Sequence, residues 1–378
     1  MTTNTIINSF PGYEYSPYKI DPSRYTTEPT SGFSIYMGED PSEGGYVFAD
    51  PGIYFNVTSF DVAGMHPASI LALNKFGEYT QRYRDIRDAR LAIKHHDYET
   101  AKTMLDGKLA PYLTDESEAD KLSKALKLVL NSTYGFCSAK FDNPFKDSRD
   151  LDNIVAKRGA LFMIGLKHEI LKRGFKVVHC KTDGIKVAEA NEEISEFIYD
   201  YGKKYAYDFE IEAEYERFCL VNKSVYIAKE KNGHWTATGA QFQVPFIFKT
   251  LFTHEPLTFE DLCVSKEVTS ALYLDFNEAL PEGEHNYTFV GKVGSFCPMI
   301  PGAGGGDLLR EKDGKYNNAT GAKGFKWMES EMVRNLGLED KINMSYYKQM
   351  ADEAVDTIKQ FGDYEFFVSD EPVSELPF

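Results

Sequence analysis

Residues 152–187 restrict the fold more than any other stretch of the chain. A helical pattern over 152–173 carries Leu161, Ile164, Leu166, Ile170 and Leu171 on its apolar side and stops at Gly174, which suits the left-handed position that closes a helix. An apolar strand over 175–180 follows, then the turn Lys181-Thr182-Asp183-Gly184, then a second strand over 185–187. Strands joined this tightly pair antiparallel, which puts an aspartate at a hairpin tip and a helix against the sheet. Residues 53–62 alternate β-branched and aromatic side chains and read as a further strand ending at Asp61. The fold class is therefore α+β.

Around this frame, 1–43 is rich in Tyr, Pro, Ser and Thr without periodicity and reads as an irregular arm. Residues 78–105 have helical spacing, and after Pro111 a second helix runs over 116–134, with Gly135 as its closing residue. Two helices with a short connection form a hairpin that can project from a sheet. An acidic helix near 191–205 and a strand near 209–213 come next. A hairpin of 221–229 with 234–238 then turns at Asn232-Gly233. Beyond 255 the pattern is mixed, with helices near 325–336 and 344–360.

The formal net charge is −16, which for a uniform surface would repel a polyanion. The charge is regional: residues 188–217 and 352–378 each carry −7, leaving the remainder nearly neutral. Bases gather in two places. Arg82, Arg84, Arg87, Arg90 and Lys94 lie on the first helix, with Arg87, Arg90 and Lys94 in one stripe; Arg310, Lys312, Lys315, Lys323 and Lys326 lie near Tyr316, Phe325 and Trp327. The five cysteines are dispersed, odd in number and without a Cys-x-x-Cys pair, which fits free thiols and argues against zinc or iron–sulfur sites. The longest apolar stretch, 159–166, is far short of the roughly 20 residues of a membrane span, and no secretory leader opens the sequence. The expectation is no membrane partner and a cytoplasmic location, the host cell cytoplasm if the protein is viral.

Asp61 at a strand end and Asp183 at a hairpin tip can share one sheet edge, and such a carboxylate pair suits two Mg2+ ions. Here the residues carry a resemblance. Asp61-Val62-Ala63-Gly64-Met65-His66-Pro67-Ala68-Ser69-Ile70 resembles motif A of family B DNA polymerases. Lys127-Leu128-Val129-Leu130-Asn131-Ser132-Thr133-Tyr134-Gly135 resembles motif B, Lys-x-x-x-Asn-Ser-x-Tyr-Gly, at each defining position. Lys181-Thr182-Asp183-Gly184 stands where motif C, Asp-Thr-Asp-Ser, is expected, and Gly44-Gly45-Tyr46-Val47 resembles the glycine segment ahead of motif A. The order matches the family, and the details look most like bacteriophage members.

The resemblance implies a right-hand polymerase fold with an antiparallel-sheet palm, two-helix fingers and a mixed thumb. The implied parts are an arm over 1–42, palm over 43–70 and 138–250, fingers over 71–137, and over 251–378 a thumb with an acidic tail. It implies DNA-templated DNA synthesis on primer-template DNA from dNTPs, with two Mg2+ ions, for which Mn2+ can substitute, held by Asp61, Asp183 and the Val62 carbonyl. Arg90, Lys94 and Lys127 would face the triphosphate, Asn131 and Tyr134 would border the nascent base pair, and Met65 and His66 would line the nucleotide site. Gly44, Gly45, Gly135, Lys181, Thr182, Lys223 and Tyr226 would touch DNA, as would the thumb's Lys312, Lys315, Lys323 and Lys326. Glu212 and Glu214 are candidates for a more remote carboxylate.

The departures are specific. Lys181 replaces the first motif C carboxylate; it either touches a primer phosphate or pairs with an acid of 208–216. His66 replaces the tyrosine that blocks a ribose 2′-hydroxyl. Lys223-Ser224-Val225-Tyr226 stands for a more basic primer-gripping run. No Asp-x-Glu exonuclease motif occurs ahead of Asp61, so the expectation is synthesis without proofreading, with a separate exonuclease subunit as one partner to look for. The alternative reading is a catalytically weak or silent DNA-binding subunit of a split replicase. Gly302-Ala303-Gly304-Gly305-Gly306 is no nucleotide-binding signature and reads either as a flexible turn or as a loop whose amides meet a phosphate.

Overall fold

The structure is a computed structural model that describes residues 10, 36–41, 45–137, 139, 141–143, 145 and 154–371. Gly44, most of the arm over 1–42 and the last residues of the acidic tail, 372–378, lie outside the described residues. The chain divides into two compact units, Met1–Lys223 and Ser224–Phe378. Both are mixed α+β, and each is built on an antiparallel sheet.

In the first unit, β1 (Val47–Ala49) and β2 (Gly52–Val62) lead into α1 (Met65–Ala72). A helical excursion follows: α2 (Thr80–Lys94), α3 (Tyr98–Thr103) and α4 (Glu116–Cys137). The chain returns through α5 (Ile154–Lys172), β3 (Lys176–Lys181), β4 (Gly184–Ala188), α6 (Glu192–Lys204) and β5 (Phe209–Asn222). These strands lie in the order β1-β3-β4-β2-β5, all antiparallel.

Helix α5 is apolar on nearly every side through its middle turns and is buried accordingly, packing with Phe60, Val62, Ile185 and Val187 of the sheet and Ile194 and Ile198 of α6. Leu171, expected on its apolar side, is 42% exposed, in the last turn of α5. Gly159 lets α1 approach: a Cβ there would lie 2.5 Å from Met65 Sδ. Gly174 ends the helix at φ +83°, as its position requires.

The helical excursion differs from the expected pair. The first helix stops at Lys94, His96 turns left-handed at φ +58°, and Asp97 caps α3 by accepting from the Thr100 amide at 3.2 Å. Gly135 does not close α4, which continues to Cys137. This lobe has a small core of its own from Ala89, Ile93, Ala101, Leu109, Leu113 and Ala119.

In the second unit, β6 (Val225–Glu230) and β7 (Trp235–Thr238) form the expected hairpin at Gly233, φ +87°. The hairpin starts at Val225 because β5 runs on to Asn222, well past the expected 213. A second sheet has the order β11-β10-β8-β9-β12, built from β8 (Val264–Asp275), β9 (Tyr287–Met299), β10 (Asp307–Lys312), β11 (Lys315–Asn318) and β12 (Lys326–Glu329). The helix expected over 325–336 begins only at Ser330, as α7 (Ser330–Leu336), since Lys326–Glu329 pairs with β9. Helices α8 (Met344–Lys359) and α9 (Tyr364–Val368) complete the unit. The Gly302–306 loop has a packing reason. Gly306 exchanges backbone hydrogen bonds with Trp327 at 2.8 and 2.7 Å, and a Cβ there would meet the Asp275 carbonyl at 2.9 Å. No described helix is long and apolar enough to cross a membrane.

Within the first unit a partly buried ion cluster ties the segment at 36–41 to α5. Glu39 accepts from Lys167 Nζ (2.7 Å), His168 Nε2 (2.6 Å) and the Tyr46 hydroxyl, and the Lys167 side chain is only 5% exposed and lies 4.1 Å from the Phe48 ring centre. Burial opposes the charge on Glu39, but these hydrogen bonds outweigh it and hold the carboxyl below its usual range. Glu39→Gln strands a buried ammonium and should cost about 3–5 kcal/mol at neutral pH, measured by urea unfolding. Because the folded-state pKa is depressed, this stabilisation is present above the unfolded value and fades as pH falls through the folded one, so the gap between wild type and variant should narrow in acid.

Candidate functional site

The first unit holds a cleft of about 490 Å3 between the sheet edge, α1, α2 and α4. Two backbone pairings place its carboxylates. Asp61 sits opposite Gly184 of β4 and Glu210 of β5, while the β3–β4 turn sets Asp183 next to it, with the Val62 amide donating to the Asp183 carbonyl at 3.0 Å. The turn is held from the other side as well: Thr182, at φ +55°, donates its amide to the Tyr46 carbonyl at 2.9 Å. Asp61 and Asp183 thus converge although α1 to α5 separate them in sequence.

The electrostatics follow from that convergence. Burial, then Asp183, Glu212 and Glu210, push the Asp61 carboxyl up to about 7 against the pull of Lys94. Burial and Glu212 also raise Asp183, opposed by its own backbone amide, Lys127 and Lys186. An extra residue in β5 opposite Ser59–Phe60 forms a bulge, and there Glu212 accepts from Ser59 Oγ at 3.1 Å. Lys186 Nζ donates to the same Ser59 Oγ at 3.0 Å. Its ammonium is buried, and burial lowers its pKa against the fields of Glu212 and Asp61.

The other wall is basic and aromatic. Arg90 and Lys94 of α2 and Lys127 of α4 line the cleft, and among the described residues Arg90 Nε is buried without a hydrogen-bond partner. Lys94 pairs with Glu210, His95 Nε2 lies 3.6 Å from Glu210, and Arg87 Nη2 lies 3.4 Å from Asp208. Burial works against the Glu210 charge, but hydrogen bonds from Lys94 and His95 hold it below the usual carboxylate range. His66 stacks on Tyr134, with ring centres 4.1 Å apart and planes 10° apart. Burial lowers the His66 pKa, so the ring is neutral at neutral pH, and its Nδ1 has no hydrogen-bond partner among the described residues. Gly64, at φ +73°, starts α1 and turns Met65 and His66 to the cleft.

The sequence-derived metal candidates Asp61, Val62 and Asp183 and the nucleotide candidates Met65, His66, Arg90, Lys94, Lys127, Asn131 and Tyr134 all line this one cleft. Thr182 is in the turn and Gly45 packs against it, Gly135 is exposed on α4, and Lys181 is exposed at the end of β3. The Lys223 carbonyl accepts from His179 Nε2 at 3.2 Å. Tyr226, Lys312, Lys315, Lys323 and Lys326 belong to the second unit; Lys326 Nζ is engaged by Asp307 and Asn277, each at 3.0 Å, whereas Lys312, Lys315 and Lys323 are exposed. Sequence reasoning missed Lys186 and the approach of Glu210 to the cleft. The signal for Lys186 was its place between Ile185 and Val187, which turns it to the opposite face of β4.

The donor set fits a hard cation. The Asp61 and Asp183 carboxylates converge, and the repulsion that Asp183, Glu212 and Glu210 exert on Asp61 is what a divalent ion would relieve. Among the described residues no group of three or more His, Cys, Asp or Glu side chains makes a metal cage. Mg2+ commonly uses one or two carboxylates and completes its shell with water and substrate phosphate, so a cage is not required.

A scan against protein-family models finds no match to this chain, and a search of curated proteins finds none. Among solved structures, the chain is similar to the family B DNA polymerase from the hyperthermophilic archaeon Pyrobaculum calidifontis, at 12% identity and a TM-score of 0.46, over 86% of this chain and 47% of that one. The chain therefore spans about half the length of that polymerase.

The turn geometry generates a direct test. A Cβ on Gly45 would lie 2.6 Å from Thr182 Oγ1, so Gly45→Ala should push the tip that carries Asp183 and cost about 1–3 kcal/mol in denaturant unfolding. Thr182→Gly in the same chain removes the obstacle and suits the positive φ, so it should recover most of that loss. Equal and additive losses would contradict the contact.

Proposed function

We propose that the chain is a DNA-templated DNA polymerase core that extends a primer 3′-hydroxyl with dNTPs. The observation that carries this reading is the convergence of three motif segments, distant in sequence but in family order, on the walls of one cleft. In this reading the palm spans residues 43–70 and 138–250, the fingers 71–137, and the thumb with its acidic tail 251–378.

Asp61, Asp183 and the Val62 carbonyl would hold two Mg2+ ions, or Mn2+, which lower the pKa of the attacking hydroxyl and neutralise the leaving pyrophosphate. Arg90, Lys94 and Lys127 supply cations on the facing wall for a triphosphate. The stacked pair His66–Tyr134 and Asn131 form the surface against which a nascent base pair and its sugar would sit. Imidazole fills less space than a phenol ring, so exclusion of a ribose 2′-hydroxyl at His66 is weaker than at a tyrosine. Lys312, Lys315 and Lys323 are exposed cations suited to phosphate contacts with duplex DNA, which would be salt-sensitive and indifferent to sequence. Synthesis would proceed without proofreading by this chain, and a separate exonuclease subunit would supply any editing.

A second reading, a silent DNA-binding subunit, is favoured by Lys181, which puts an exposed cation where the motif has its first carboxylate. Primer extension with purified protein separates the two. Template-dependent synthesis with Mg2+ or Mn2+ that falls by orders of magnitude in Asp61→Asn and in Asp183→Asn supports the enzyme; synthesis unaffected by both changes would refute the assigned site. An independent readout is thermal: Mg2+ with a dNTP should raise the unfolding midpoint of the wild type and not of either variant.

A further inference from the structure

The acidic run 188–217 does not all point away from the cleft. Its residues Asp208 and Glu210, at the start of β5, reach the basic stripe of α2. Glu210 lines the cleft, takes Lys94 as ion-pair partner and has His95 Nε2 at 3.6 Å; Asp208 takes Arg87 at 3.4 Å. The neighbouring Arg90 lies on the same stripe, with Nε unpartnered among the described residues. A carboxylate thus sits where the helix offers its cations to an anion, and the two cannot hold Lys94 together. The arrangement is asymmetric, since Lys127 on the opposite helix also lines the cleft but acts on Asp183, not on Glu210.

We propose that Glu210 is an internal competitor for the triphosphate site: its carboxylate holds Lys94 in the empty cleft and is exchanged for phosphate oxygens when a nucleotide binds. Asp208 plays the lesser part through Arg87, which lies one turn before Arg90 on α2. The inference rests on the polymerase reading, which supplies the triphosphate. Its consequence is that the affinity for nucleotide is set below what the cations could give, and that the β5 strand end and α2 are latched to each other until substrate arrives. The latch is partly exposed, with Lys94 and Glu210 side chains 42% and 32% accessible, so its strength is modest and its release fast.

The test is equilibrium binding of Mg2+-tripolyphosphate, and separately of Mg2+-dATP, to the full chain by calorimetry. Glu210→Gln should bind both about three- to tenfold more tightly than wild type, the gain expected from releasing one or two partly exposed ion pairs. Asp208→Asn should give a smaller gain, and Glu196→Gln, which removes the same charge from the exposed face of α6, should give none. In a Lys94→Met background the Glu210→Gln gain should shrink. Binding by the wild type with no gain in Glu210→Gln, or an equal gain in Glu196→Gln, would overturn the competitor role while leaving the nucleotide site standing. Absence of binding by every protein would instead remove the nucleotide site, and the competitor with it.

Discussion

The pairing of β2 with β4 is the constraint on which the rest of the first unit depends. Its register sets Asp61 opposite Gly184, and the tight β3–β4 turn then leaves Asp183 nowhere to go but beside Asp61. A slip of one residue would turn Phe60 and Val62 out of the core and bury Asp61 among Ile185, Val187 and α5, which the hydrophobic face cannot tolerate. The core that forbids the slip is therefore also what fixes the carboxylates. Helix α5, buried along most of its length, is the weight that holds this register, and the Glu39–Lys167 cluster satisfies one of the two ammonium groups, Lys157 and Lys167, that it takes inside.

Charge is the second organising theme, and it acts locally. A chain of net −16 concentrates acids on β5 and at the turn, then faces them with Lys186 from within the sheet and with Arg87, Arg90, Lys94 and Lys127 from the helices. Acids and bases thus meet in one cleft, and the Lys94–Glu210 pair there is a contact that a ligand can exchange. The acidic run that averages to repulsion in a composition count is, at its residues 208–212, part of the site.

Much of this was legible in the sequence where local rules and burial agree. Gly174 and the Asn232-Gly233 turn follow from local backbone chemistry, and the alternation over 53–62 matches the strand Gly52–Val62. Three short segments singled out in the sequence line one cleft. What escaped was decided over long range. Gly135 resembles a helix stop, but α4 continues because nothing forces φ positive there. Strands β8 and β9 carry polar residues on an exposed face and gain their order from pairing with each other. Lys326 reads as part of a basic stretch, yet its partners Asn277 and Asp307 come from distant positions. Lys186 and Glu210 are ordinary strand residues until the bulge in β5 and the approach of α2 give them their neighbours.

The helical lobe interrupts the sheet between β2 and its partners, and this has a consequence for how the protein is made. Strand β2, with Ile53, Tyr54, Phe55, Val57 and Phe60, is synthesised long before β4 and β5 exist to cover its two edges. The lobe, with local contacts and a core of its own, can fold in that interval, whereas β2 must wait. Until the ribosome delivers Gly184–Ala188 and Phe209–Asn222, the nascent chain displays, in the segment that carries Asp61, an unpaired apolar strand of the kind that seeds misassembly.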